Sequence, residues 1–217
     1  PDTTAATPTK HLLLNLEDLT NYTNNRSIYS IECFPDFASS GHIAVIYQGD
    51  KTRLPVPNSS LPNLEINGSP NTSITCDLRV SRFTLSPAHI AAALDGLSTS
   101  ENDAVLATEW PYLNLAEQGT YHSIGDVQFG ADGFLYVSFG DEGAGQDSNC
   151  RNSQSITRDQ FCSLIRIDVD PASTHPKPSP HYAIAVGPLN GAHSPNTPFS
   201  DPATQEPNFR VPADNPF

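Results

Sequence analysis

The sequence predicts an all-β fold, and three observations carry that prediction. Short runs rich in Val, Ile, Tyr and Phe recur along the chain, HIAVIYQ and FLYVSF among them; such residues suit a pleated, half-buried surface. Twenty prolines against thirteen glycines punctuate the chain and leave little room for long helices. A two-strand unit also occurs twice. FPDFASSGHIAVIYQGD (34–50) and FGADGFLYVSFGD (129–141) both run Phe, Asp-containing turn, β-rich strand, Gly-Asp. Each copy is preceded by a strand and the first is followed by two more. Four antiparallel strands per unit, repeated, is the plan of a β-propeller blade, in which no unit buries its faces alone.

Taken in order, residues 1–10 are small and polar and form a disordered lead-in; the domain occupies 11–217. HLLLNL (11–16) reads as a short buried strand and SIYSIECF (27–34) as the next. PDFASSG is a turn cluster, followed by the strand HIAVIYQ (42–48). Residues 49–75 are rich in Gly, Pro, Asn and Ser and read as a long surface insertion. LRVSRFTL (78–85) alternates apolar and polar, the pattern of a half-exposed strand. SPAHIAAALDG is the clearest helix, with Ser86 to cap it, Pro87 in the first turn and Gly96 to close it. A strand is expected over Ala104–Trp110, with Trp110 packing at its end. Further strands are expected over Ser123–Phe129, Phe134–Phe139 and Ser163–Val169. Beyond Asp170 prolines recur every few residues, leaving an irregular tail with a short strand at 182–186.

With the repeats about ninety residues apart, 217 residues hold about two and a half blades, whereas closed propellers need roughly four to eight. The expectation is a partial propeller whose missing half comes from the same gene or a second chain. A net charge of −13 repels phosphates and anionic lipid, which argues against nucleic-acid and membrane partners. Four cysteines and the sequons at Asn21, Asn25, Asn58, Asn67 and Asn71 favour a secreted or periplasmic location, with glycosylation at those asparagines.

Five pieces, CFPDFASSGHIAVIY, RVSRFTL, YHSIGDVQFGADGFLYVSFGDEG, SLIRIDVDP and VPADNPF, resemble in order and spacing the glucose/sorbosone dehydrogenase family. Those are soluble quinoprotein sugar dehydrogenases, six-bladed propellers, with the Hedgehog-interacting protein as a non-catalytic relative. The resemblance covers about the first half of the family's domain. It implies a pyrroloquinoline quinone cofactor, calcium and a sugar substrate. Most ligands of those two groups would lie outside this chain.

The resemblance assigns the general base to a histidine opening an H-x-x-G-x-x-x-F-G strand, here His122 with Gly125, Phe129 and Gly130. Imidazole titrates near neutrality and can take the proton of an anomeric hydroxyl. Tyr121 stands where the family often has an acid, Asn25 is the nearest match to its sugar-contacting Gln or Glu, and Phe34 replaces the His of its HPDF turn. Asn25 and Tyr121 are therefore the candidate substrate contacts.

The acidic loop GDEGAGQDSN offers Asp141, Glu142 and Asp147 as oxygen ligands for a hard cation, without the spacing of an EF-hand loop; a solvated turn is the other reading. Asp168 and Asp170 are expected to end their strand, with Arg166 in the same strand pairing to one of them. Cys150 and Cys162 flank a short excursion and are the favoured disulfide, which would contribute about 2–4 kcal/mol. Cys33 and Cys76 would lie two strands apart, about 9–10 Å, beyond disulfide reach, leaving Cys33 a buried thiol. Two functions follow: quinone-dependent oxidation of an aldose, or a secreted non-catalytic propeller that binds a protein or glycan.

Overall fold

The computed structural model describes residues 9–19, 28–49, 64–66, 69–71, 76–117, 122, 124–141, 162–176, 197–198 and 208–215. Antiparallel sheets dominate, as the all-β expectation requires. The first sheet contains β1 (Ile28–Cys33), β2 (His42–Gly49), β5 (Cys76–Thr84) and β6 (Trp110–Glu117). Each pairs with the next in chain order, and β10 (Thr197–Pro198) is added beyond β6. A second meander joins β7 (Ile124–Phe129), β8 (Leu135–Phe139) and β9 (Leu164–Ile167). From the long insertion the hairpin β3 (Leu64–Ile66) and β4 (Ser69–Asn71) is described.

The turn before β2 is tighter than a loop. Phe37–Ser40 makes one helical turn, α1, closed by Gly41 at φ 66. A side chain at Gly41 would place its Cβ 2.1 Å from the Leu85 carbonyl oxygen, so both backbone conformation and space demand glycine there.

One face of the first sheet meets the second sheet. Ala44, Ile46, Leu78, Val80 and Tyr112 pack against Val127, Leu135, Val137 and Ile167 in a single apolar core. Its other face carries Ile43, Val45, Tyr47, Phe83 and Leu85, which pack on Val105 and Leu106. The cover is made by α2 (Pro87–Asp95) and α3 (Thr99–Leu106), inserted between β5 and β6. Ser86 caps α2, accepting from the His89 amide, with Pro87 in its first turn, as expected.

Four expectations need correcting here. The stretch Ala104–Trp110 is not a strand: Ala104–Leu106 ends α3, and β6 starts at Trp110. A capping box fixes α3, with Ser98 and Glu101 bonding each other's backbone amides. β5 is not half-exposed, because Arg79 and Ser81 are buried beneath the helices. Their polar atoms converge on Glu109, which accepts from Ser81 Oγ at 2.9 Å, lies 3.5 Å from Arg79 Nη1, and accepts from the Tyr47 hydroxyl. HLLLNL forms no strand. Leu12 and Leu13 are exposed, Leu14 and Leu16 lie against the rear cluster, and Leu16–Leu19 turns as a 3-10 helix. Asn15 fixes this strap, donating its amide to Asn102 Oδ1 at 2.8 Å and accepting at its carbonyl from Asn102 Nδ2 at 2.9 Å. Finally, Cys33 is an exposed thiol and not a buried one.

Registers place Cys33 opposite Ile43 and Ile43 opposite Phe83, while Cys76 lies seven positions back along β5. At about 3.3 Å per residue the two backbone positions lie about 23 Å apart along the strands.

Candidate functional site at the strand ends

The two copies of the repeated unit meet. Ser30 Oγ donates to Asp126 Oδ1 at 2.5 Å, and Phe34 packs edge-on against Phe129 with ring centroids 4.7 Å apart. These contacts advance together along the chain, so β1 and β7 run side by side in the same direction. The starts of both strands therefore lie at one end of the sheets, called here the upper end.

His122 stands at that end, just before β7, in the left-handed region at φ 59. Histidine is among the few side chains enriched there, and such strain is held by the surrounding structure. Cys162, just before β9, is the other non-glycine residue with positive φ among those described. Its amide donates to the Gly140 carbonyl at 2.8 Å, tying the ends of β8 and β9 together. Asp141 follows directly, and its Oδ1 is 3.8 Å from His122 Nδ1. The histidine side chain is 76% exposed. The arrangement is an imidazole open to solvent with, among the described residues, one carboxylate near Nδ1.

Local packing accounts for the rest of the H-x-x-G-x-x-x-F-G pattern. A Cβ on Gly125 would lie 2.2 Å from Ser138 Oγ, and that hydroxyl accepts from the Asp126 amide at 2.7 Å. On Gly130 it would lie 2.5 Å from Asp132 Oδ1 and 2.6 Å from Tyr136 Cε2. Phe129 holds the two sheets together through Phe34. Only His122 lacks a packing role.

The lower end, where β1 and β7 finish, is built differently. Asp132 accepts from the Tyr136 hydroxyl at 2.8 Å and from Arg166 Nε at 3.1 Å. Arg166 also donates to Asp214 at 2.8 Å and stacks 4.2 Å over the Phe134 ring. Its partners are thus Asp132 and Asp214, and not Asp168 or Asp170 as expected from the strand end. Hydrogen bonds from Tyr136 and from Arg166 hold the Asp132 and Asp214 carboxyls, respectively, below the usual range. Burial pushes the Asp168 carboxyl up, but hydrogen bonds from Ser173, the Asp170 amide and His175 together outweigh it and leave it lowered. Asp168 ends its strand as expected, bridged to Arg210 by two backbone hydrogen bonds.

Several predicted site residues lie outside the described residues: Asn25, Tyr121, Glu142, Asp147, Cys150, and the sequons at Asn21, Asn58 and Asn67. Asn71 ends β4. The pairing of Cys162 with Cys150 and the full acidic loop fall there too. Among the described residues no cluster of three or more His, Cys, Asp or Glu is placed to hold a metal ion. No described helix is long and apolar enough to cross a membrane.

Comparison with known proteins returns no matching family model and no matching curated protein.

Sequence reasoning missed Arg82, Trp110 and Asn208, which line one cavity at the lower end. Arg82 sits in an alternating strand that reads as solvent-facing, and Asn208 sits in the proline-rich tail. No local signal distinguishes them; only the register that sets Arg82 opposite Trp110 does.

Proposed function

We propose that this chain is the first part of a six-bladed propeller related to the quinoprotein sugar dehydrogenases, and that His122 is the base that takes the proton from a sugar's anomeric hydroxyl. The carrying observation is that Gly125, Phe129 and Gly130 each have a structural reason while His122 has none. A strained, exposed histidine beside one carboxylate is an arrangement that chemistry, and not packing, explains. Two sheets meeting through equivalent strands β1 and β7 support the blade reading, the first sheet being one blade and the β7–β9 sheet part of the next.

In this reading Asp141, 3.8 Å from Nδ1, orients the ring so that Nε2 faces the sugar. Pyrroloquinoline quinone, when bound, supplies the acceptor for the hydride. The described residues do not form its pocket: of the candidate groups they bring His122, Asp141 and Cys162 to the upper end, so its walls and most calcium ligands would lie outside the described residues. Asn25 and Tyr121 remain the proposed sugar contacts, Asp141, Glu142 and Asp147 the proposed cation ligands, and Cys150–Cys162 the proposed disulfide. The proposed location is secreted or periplasmic.

The test is dye reduction by the intact protein with pyrroloquinoline quinone and calcium across a panel of aldoses. Turnover that disappears in His122→Asn, a residue that also tolerates positive φ, supports the reading. Absence of turnover on every aldose removes it. The second reading, a secreted propeller that binds a protein or glycan without chemistry, draws on the apolar row Ile28, Tyr29 and Ile31, exposed along β1. It predicts binding that His122→Asn leaves intact.

A further inference from the structure

A second site lies at the opposite end of the sheets from His122. Leu78, Val80 and Arg82 alternate along β5 on the face toward the second sheet, the first two within the shared core. Arg82 thus ends an apolar row. It pairs in register with Trp110, and its guanidinium carbon lies 5.7 Å from the centre of the indole ring. Across the gap stand Asp168, Asn208, Phe209 and Arg210, which together with Arg82 and Trp110 enclose a cavity of about 380 Å³, within the range of small-molecule sites.

The hydrogen-bonding accounts of this cavity are uneven. Asp168 is committed to His175 Nδ1 at 2.8 Å and to the Asp170 amide at 3.0 Å. Arg210 donates to the His175 carbonyl at 2.7 Å. Arg82 has no carboxylate partner among the described residues, and its Nε is buried without any acceptor. Arg82 is only half-buried, but this one donor is shut off from water, and a buried donor without an acceptor is ordinarily avoided. The unbalanced charge is felt nearby: burial first, and then Arg82, hold the His42 imidazole below its ordinary range. Asn208 donates through Nδ2 to the Pro111 carbonyl at 2.7 Å, but its buried Oδ1 accepts nothing. The cavity therefore offers an unmatched cationic donor and an unmatched acceptor beside the partly exposed Trp110 ring.

We infer that this cavity binds a small hydroxycarboxylate, of the sugar-acid class, its carboxylate on Arg82 and a hydroxyl donating to Asn208 Oδ1. A simple anion leaves Asn208 unmet, and a neutral polyol leaves Arg82 unpaired. The inference stands apart from the reading of His122 and survives its failure.

Trp110 is the only tryptophan of this sequence, and its own signal is the difference between the intact protein and its Trp110→Phe variant, excited where tyrosine does not absorb. The intact protein is titrated with D-glucuronate, D-glucose and sulfate at constant ionic strength. The expected result is a saturable change with glucuronate, with half-saturation at least about tenfold higher for glucose, which loses the charge-assisted hydrogen bond, and several-fold higher for sulfate, which leaves the Asn208 acceptor unmet. Arg82→Gln removes the response. Arg82→Lys, which keeps the charge and so guards against a folding artefact, weakens it several-fold. A flat titration with glucuronate, an equal response to glucose or sulfate, or an undiminished response in folded Arg82→Gln overturns the inference.

Discussion

The upper and lower ends of the two sheets treat polar groups in opposite ways. At the lower end Asp132, Tyr136, Arg166 and Asp214 share direct hydrogen bonds, and Asp168 is held by His175 and a backbone amide. At the upper end the imidazole of His122 has, among the described residues, one carboxylate near it, at 3.8 Å, and a strained backbone beneath it. The same hairpin supplies both ends, since β7 and β8 run from one to the other. The lesson is that a repeated unit can spend its turn on cohesion and its open end on display. The GADG turn of the second copy organises the lower network through Asp132, while the strand start carries the group that packing leaves free.

Breaking the core that both ends share has the largest expected effect. Leu135, fully buried between the sheets, mutated to Ala should cost about 2–5 kcal/mol, read by urea unfolding. Next comes the close approach at the upper end. Gly125→Ala forces a Cβ onto Ser138 and should cost about 1–3 kcal/mol; adding Ser138→Gly should recover part of it, and no recovery would mean that the contact is not the cause. Acid separates the ends. Asp132, Asp168 and Asp214 have folded pKa values below their unfolded ones. The stability they contribute is complete above the ordinary carboxylate range, roughly pH 4, and is lost as pH falls through the lowered values. Amide exchange followed from pH 5 downward should therefore show β9 and residues 208–215 losing protection ahead of residues at the β7 start. The smallest effect is predicted for His122→Asn, within about 0.5 kcal/mol of wild type. A larger loss of stability would give this histidine the structural role that its surroundings do not show.

Much of this architecture was legible in residue order. The strands β1, β2, β5, β7, β8 and β9 follow from β-branched and aromatic runs, and α2 follows from its Ser-Pro start. The repeat anticipated that Phe34 and Phe129 are equivalent, and they prove to touch. What misled was burial supplied from a distance. Arg79 and Ser81 read as solvent-facing because nothing local reveals that α2 and α3 fold back over β5. The leucines of HLLLNL look like a strand because their partners are the helices and Asn102, not a sheet. The start of α3 was readable, since Ser98-x-x-Glu101 is a capping box, but the apolar run from Ala104 to Trp110 looked more like a strand. The candidate site divides along the same line. The motif around His122 can be found in sequence, whereas its Asp141 neighbour and the Arg82–Asn208 cavity need tertiary registration.

The strap from Leu14 to Leu16 has a consequence in time as well as in space. Asn15 leaves the ribosome 87 residues ahead of its partner Asn102. The rear leucines therefore wait, unsheltered, until α3 exists and docks. Loss of the strap from the folded molecule should bare the back of the first sheet, where Leu14 and Leu16 lie against it.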